Sequence, residues 1–128
     1  MYPVLSLTLG IHYLRTMNEQ HCIALCTAPD LATAEMLARS VVEARLAACV
    51  NLLPGIRSIY RWQDAVQADS ETLLIIKTRR DRFTALADAL RAQHPYELPE
   101  IIAVPLSDGL PAYLAWVDQN TDPTESSP

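Results

Sequence analysis

Residues 71–78 read Glu-Thr-Leu-Leu-Ile-Ile-Lys-Thr, with Leu73, Leu74, Ile75 and Ile76 apolar at four successive positions. Successive side chains of a strand point to opposite faces, so this run predicts a central strand buried on both sides. Upstream, Ala48 to Leu53 has a strand pattern, Pro54 and Gly55 punctuate it, and Ile56 to Trp62 continues extended with Ser58, Tyr60 and Trp62 on one face. Gln63 to Ala65 turns the chain, so a bent or broken long strand forms a hairpin with the 71–78 strand.

Outward from the hairpin, the hydrophobic period alternates between strand and helix. Cys22 to Thr27 is a short apolar run ended by Pro29, a buried strand. Asp30 offers an N-cap to a helix carrying Leu31, Ala34, Leu37, Ala38, Val41 and Val42 at helical spacing, with Glu35, Arg39 and Glu43 on another face. Phe83, Leu86, Ala87 and Leu90 mark a second helix, which stops at His94 because Pro95 disfavours helical geometry in the residue before it. Ile101 to Leu106 is a last strand. Ser107 or Asp108, with Pro111, starts a short helix through Tyr113, Trp116 and Val117.

The order β-α-β-β-α-β-α is that of the α+β ferredoxin-like sandwich, an antiparallel four-stranded sheet with both main helices on one face. Two helices cover only one side of the 71–78 strand, so the second side calls for a partner, and self-association is the simplest cover.

Composition narrows the function. The chain has 128 residues, half of them hydrophobic and 20% charged, against about 25% in average globular usage, so a packed core is expected and disorder is not. The formal charge is −5, Lys77 is the one lysine, and the arginines are scattered, which is the wrong electrostatics for nucleic acid. Three cysteines, Cys22, Cys26 and Cys49, make an odd count that fits reduced thiols in a cytoplasm better than a disulfide framework.

Val4 to Leu14 is mostly apolar, but it lacks a basic flank before it, is too short to span a bilayer and is followed by no cleavage pattern. We read residues 1–20 as an N-terminal extension outside the core, 21–119 as the domain, and 120–128 as a polar, frayed tail. No membrane association is expected.

Spacing alone gives no catalytic signature. The three glycines lie far apart and form no phosphate loop, and no Cys-x-x-Cys or His-x-x-x-His pair occurs. Cys26, at the end of the first strand, is either a soft metal ligand or a small buried hydrophobe, whereas Cys22 and Cys49 read as packing thiols. His94 closes the second helix as a capping or surface histidine, ahead of a stiff extended loop from Pro95 to Glu100. Tyr60, Trp62, Tyr96 and Trp116 read as core and interface anchors.

The run Leu25-Cys26-Thr27-Ala28-Pro29-Asp30, then Leu46-Ala47-Ala48-Cys49-Val50-Asn51, Pro54-Gly55, Ser58, Tyr60 and Trp62 resembles the CutA divalent-cation-tolerance family. The likeness continues through Lys77-Thr78, His94-Pro95-Tyr96, Pro99-Glu100-Ile101, Pro105 and Tyr113-Leu114-x-Trp116, and covers about residues 22–118.

The resemblance implies a tight homotrimer that binds divalent metals, copper (Cu2+) above all and zinc or another divalent cation next, in a response to metal ions and not as an enzyme. It also implies metal ligands at Cys26 and at two consecutive histidines before Pro-Tyr; here the second is His94 and the first is Gln93, a harder donor that weakens copper binding. Cys22 or His21 would substitute if the strand edge brings either one near. The alternative it implies is a PII-like signalling or adaptor module, with a small molecule or partner in an intersubunit cleft at Tyr60, Lys77, Tyr96 and Glu100. A second departure from the family pattern is Gln63-Asp64-Ala65, where Asp64 must accept a left-handed turn.

Overall fold

Four strands and three helices alternate in a computed structural model that describes residues 20–123. They are β1 (His21–Ala28), α1 (Leu31–Glu43), β2 (Cys49–Trp62), β3 (Ala65–Arg79), α2 (Phe83–Gln93), β4 (Ile101–Pro105) and α3 (Pro111–Asn120), with one 3-10 turn at Arg80–Arg82 ahead of α2. Residues 1–19 of the N-terminal extension and the last five residues of the chain lie outside the described residues. The strands form one antiparallel sheet in the order β2-β3-β1-β4, the ferredoxin-like arrangement expected from the element order.

Alternation along β1 and β3 fixes which face is which. Cys22, Ala24, Cys26 and Ala28 lie opposite Thr78, Ile76, Leu74 and Thr72, and all of these are buried. Of these, Ala24, Cys26, Ala28, Leu74 and Ile76 pack with Ala34, Leu37, Ala38 and Val41 of α1 and Leu86 and Leu90 of α2 to make the core. Small alanines and thiols on β1 let the two helices lie close to the sheet, so the large side chains come mainly from the helices and β3.

Local signals set the helix ends. The Asp30 carboxylate accepts from the Thr33 backbone N–H at 2.7 Å and so caps α1. Leu31 and Val42, assigned to the apolar stripe by spacing, stay exposed, because the sheet takes a narrower arc of α1 than the periodicity marks. α3 has Pro111 in its first turn but is capped by Leu110 with no side-chain bond; the Asp108 carboxylate serves the Gly109 N–H instead, so neither Ser107 nor Asp108 starts the helix. Thr121, placed in the frayed tail by composition, is fully buried, and its hydroxyl donates to the Val117 carbonyl at 2.8 Å.

The hairpin is one long ribbon. Trp62 pairs with Ala65, so the turn is the two residues Gln63 and Asp64, both left-handed with φ of 51° and 64°. Positive φ at both central residues is the turn geometry that matches the twist of a β-ribbon. Between Leu53 and Ile56 the register shifts, with Gly55 at φ 79° taking the kink.

Among the described residues, the second face is covered at both ends and open in the middle. At one end α3 sets Asp118 against His21 Nε2 at 2.8 Å. At the other end the loop after α2 brings Tyr96 onto Glu71. Between them Leu53, Ile102 and Val104 remain half exposed, and Ile59 and Val66 on the ribbon are 73% and 66% exposed. Leu73 and Ile75 are accordingly only partly buried within one chain, whereas Leu74 and Ile76 on the helix side are fully buried.

Candidate functional site

At the C-terminal end of β1 the ladder with β4 stops at the pair Cys26 and Ile101, leaving the Thr27 carbonyl beyond the last rung. His94, the C-cap of α2, fills that place: its Nε2 lies 2.8 Å from the Thr27 oxygen. A carbonyl can only accept, so Nε2 carries the proton and Nδ1 has the lone pair. The Tyr96 backbone N–H donates to that lone pair at 3.1 Å. The Tyr96 ring stacks at a tilt on the imidazole, with centroids 4.8 Å apart. Both ring nitrogens are therefore engaged, and His94 is 9% exposed.

The Cys26 thiol points to the same carbonyl, with Sγ 3.8 Å from the Thr27 oxygen. Its strand position puts it on the helix side, where it is completely buried. Burial pushes this thiol up to about 12, and the nearby carboxylates of Glu100 and Glu71 push in the same direction. At neutral pH it is a protonated thiol. Cys22, also buried, is shifted upward by burial as well, against a smaller opposing effect of Arg80.

Residue 93 faces elsewhere. The Gln93 amide donates to Ser40 Oγ at 2.8 Å and to the Ala89 carbonyl at 3.2 Å, tying α2 to α1. Neither candidate substitute ligand reaches the site: His21 and Cys22 begin β1, and Cys26 lies toward its far end.

The four cleft candidates divide into two places. Tyr60 donates to the Asp69 carboxylate and Tyr96 donates to Glu71 Oε2 at 2.7 Å. Each phenol is held above its ordinary range, Tyr96 by burial and then by Glu71, Tyr60 by its bond to Asp69. Glu100 is close enough to act on Cys26. Lys77 is apart from them, six residues along β3 from Glu71, about 20 Å at strand rise. There its ammonium reaches Asn51 and the Cys49 sulfur. Within one chain Lys77 does not join the other three.

Held in this way, the donors suit a soft or borderline metal but are not a ready ligand set. The thiol keeps its proton, both imidazole nitrogens are bonded, and among the described residues no group of three His, Cys, Asp or Glu side chains could hold an ion. Sequence reasoning missed Asp69 and Glu71, which bind the two tyrosines. The carboxylate opening an otherwise apolar run at residue 71 was the available signal.

The described residues contain no helix long and apolar enough to cross a membrane. Residues 22–120 match the family model described as CutA1 divalent ion tolerance protein. The chain is 48% identical over 104 residues to mouse Protein CutA, a match that covers 81% of this chain and 59% of the mouse protein. It is 46% identical over 99 residues to the divalent-cation tolerance protein CutA of Thermus thermophilus, covering 77% of this chain and 96% of that one. The crystal structure of CutA from Xylella fastidiosa superposes with a TM-score of 0.79 at 46% identity, over 80% of this chain and 99% of that one. With fold, motifs and relatives in agreement, the chain belongs to the CutA1 divalent ion tolerance family.

Proposed function

We propose that this chain acts in divalent-cation tolerance as a cytoplasmic homotrimer that binds copper, with zinc or another divalent cation as the weaker choice, and that it is not an enzyme. The observation that carries the reading is the convergence of the Cys26 thiol and the His94 imidazole on one carbonyl oxygen, beside Glu71 and Glu100. Burial is the main reason that Cys26 keeps its proton, and the carboxylates of Glu100 and Glu71, which add to it, also attract a cation; a thiolate with an imidazole is a donor pair that copper and zinc accept. Two donors leave a coordination sphere incomplete, so the remaining ligands are assigned to a neighbouring copy or to water.

The assembly is supported, among the described residues, by the open middle of the sheet and by its two free edges, β2 and β4. Edges at opposite ends of one sheet continue each other head to tail, and a closed ring removes both. The cytoplasm suits three unpaired thiols.

Copper titration of the assembled protein tests the reading. Binding should release a proton, strengthen with pH, and weaken by about tenfold or more in Cys26→Ser with the assembly intact. Unchanged affinity in that variant would contradict it.

A second reading is a PII-like module, favoured by the pairing of Tyr60 with Asp69 and Tyr96 with Glu71, which would line a cleft to which a neighbouring copy adds Lys77. A metabolite retained by the immobilised assembly and lost in Tyr96→Phe would support it; retention of none would remove its support.

A further inference from the structure

Cys49 and Lys77 lie directly opposite each other in the β2–β3 ladder, with Lys77 Nζ 3.8 Å from Cys49 Sγ. The Ala48 N–H donates to the Lys77 carbonyl at 2.9 Å, which continues the pairing just past the first residue of β2 and holds the two backbones in register. Cys49 is the one cysteine of the three with open surface; Cys22 and Cys26 are 1% and 0% exposed. Those two thiols also face the helix side of the sheet, whereas Cys49 and Lys77 share the opposite face.

This placement bears on what an oxidised Cys49 would meet. A sulfenic acid is ordinarily resolved by a second thiol or by a nitrogen nucleophile. The sheet itself separates Cys49 from both other thiols. The nucleophile beside its sulfur is the amine of Lys77, the one lysine of the chain.

We propose that Cys49 and Lys77 form a reversible covalent cross-link driven by a peroxide. The peroxide O–O bond breaks as one oxygen is transferred to sulfur, so the thiol is oxidised by two electrons to a sulfenic acid and hydrogen peroxide is reduced to water. Lys77 gives its extra proton to solvent, and the amine nitrogen attacks sulfur. An S–N bond forms, the S–O bond breaks, and the leaving hydroxide takes the second nitrogen proton to depart as water. Thiol, ammonium and hydrogen peroxide thus become a sulfenamide, two waters and a proton. The ladder supplies the proximity, since both groups are held side by side before oxidation. The bond removes the one lysine cation and ties β2 to β3, and an added thiol cleaves it by attack on sulfur.

Peptide mass spectrometry of the intact assembly after treatment with hydrogen peroxide tests this. The expected result is a peptide joining Cys49 to Lys77, lighter by two hydrogens than its reduced parts and abolished by dithiothreitol, with two of the three thiols still free. In Lys77→Arg the joined peptide should vanish, and Cys49 should be trapped as a sulfenic acid by dimedone. Dimedone labelling of Cys49 in the unmutated protein as complete as in Lys77→Arg would overturn the proposal. So would oxidation at Cys26 in preference to Cys49, or a joined peptide that retains an oxygen atom.

Discussion

His94 Nε2 donates to the Thr27 carbonyl across 67 residues of sequence, at 2.8 Å, and so finishes the edge of β1 where β4 has already ended. The same imidazole orders the following loop by accepting from the Tyr96 N–H. One side chain thus closes the strand edge and starts the segment that carries Tyr96 to Glu71.

Replacing His94 by Ala leaves the Thr27 carbonyl and the Tyr96 N–H without partners in a nearly buried place. Loss of about 1–3 kcal/mol is expected for each group left unsatisfied, partly recovered by water. Urea denaturation of His94→Ala against the parent measures it, and an unchanged midpoint would show that the two bonds are not structural.

Gln93→His tests the meaning of the altered position. Because residue 93 points at Ser40 and not at Cys26, the change should raise copper affinity by less than about threefold, under 1 kcal/mol. A gain of tenfold or more in a copper titration would mean that the loop turns residue 93 toward the site when metal binds.

The buried Cys26 thiol makes stability depend on alkaline pH. Its folded value is raised from 9.0 to about 12, so its contribution is intact below pH 9 and is lost as pH rises toward 12. Across that window the unfolded chain ionises and the folded chain does not, which lowers stability by about 1.4 kcal/mol per pH unit from this group. Cys22 adds to the decline with the same sign. Denaturant melts at pH 8 and pH 10.5 should show a shallower fall in Cys26→Ala; parallel falls would contradict the assignment.

Turn chemistry at the ribbon end is improvable. Asp64, at φ 64°, carries a left-handed strain that glycine does not, so Asp64→Gly should stabilise by up to about 1 kcal/mol. Gly55→Ala should cost about 1–2 kcal/mol from backbone strain alone, since nothing lies within 4 Å of the added methyl. Thermal melts of the two variants should move in opposite directions.

The element order, the hairpin and the cap at Asp30 were legible because each depends on local chemistry: period, turn residues and a carboxylate ahead of an apolar stripe. The open sheet face was legible from Leu73 to Ile76, four apolar residues that two helices cannot cover. Pairings that depend on register were not. Counting back from Trp62 and Ala65 without the bulge sets Lys77 opposite Val50, on the helix side; the bulge at Pro54 and Gly55 moves its partner to Cys49. The orientation of Cys26 was left open for a related reason, since a run apolar at every position does not say which parity faces the helices. The tie between His94 and Thr27 joins residues with no local signal between them.

Native mass spectrometry of the protein titrated with copper tests the central claim most directly, because it reports subunit number and bound metal together. The expected result is a trimer that takes up copper, and a Cys26→Ser trimer that takes up markedly less at the same free metal concentration. A monomer, or a Cys26→Ser trimer loaded as fully as the parent, would contradict it.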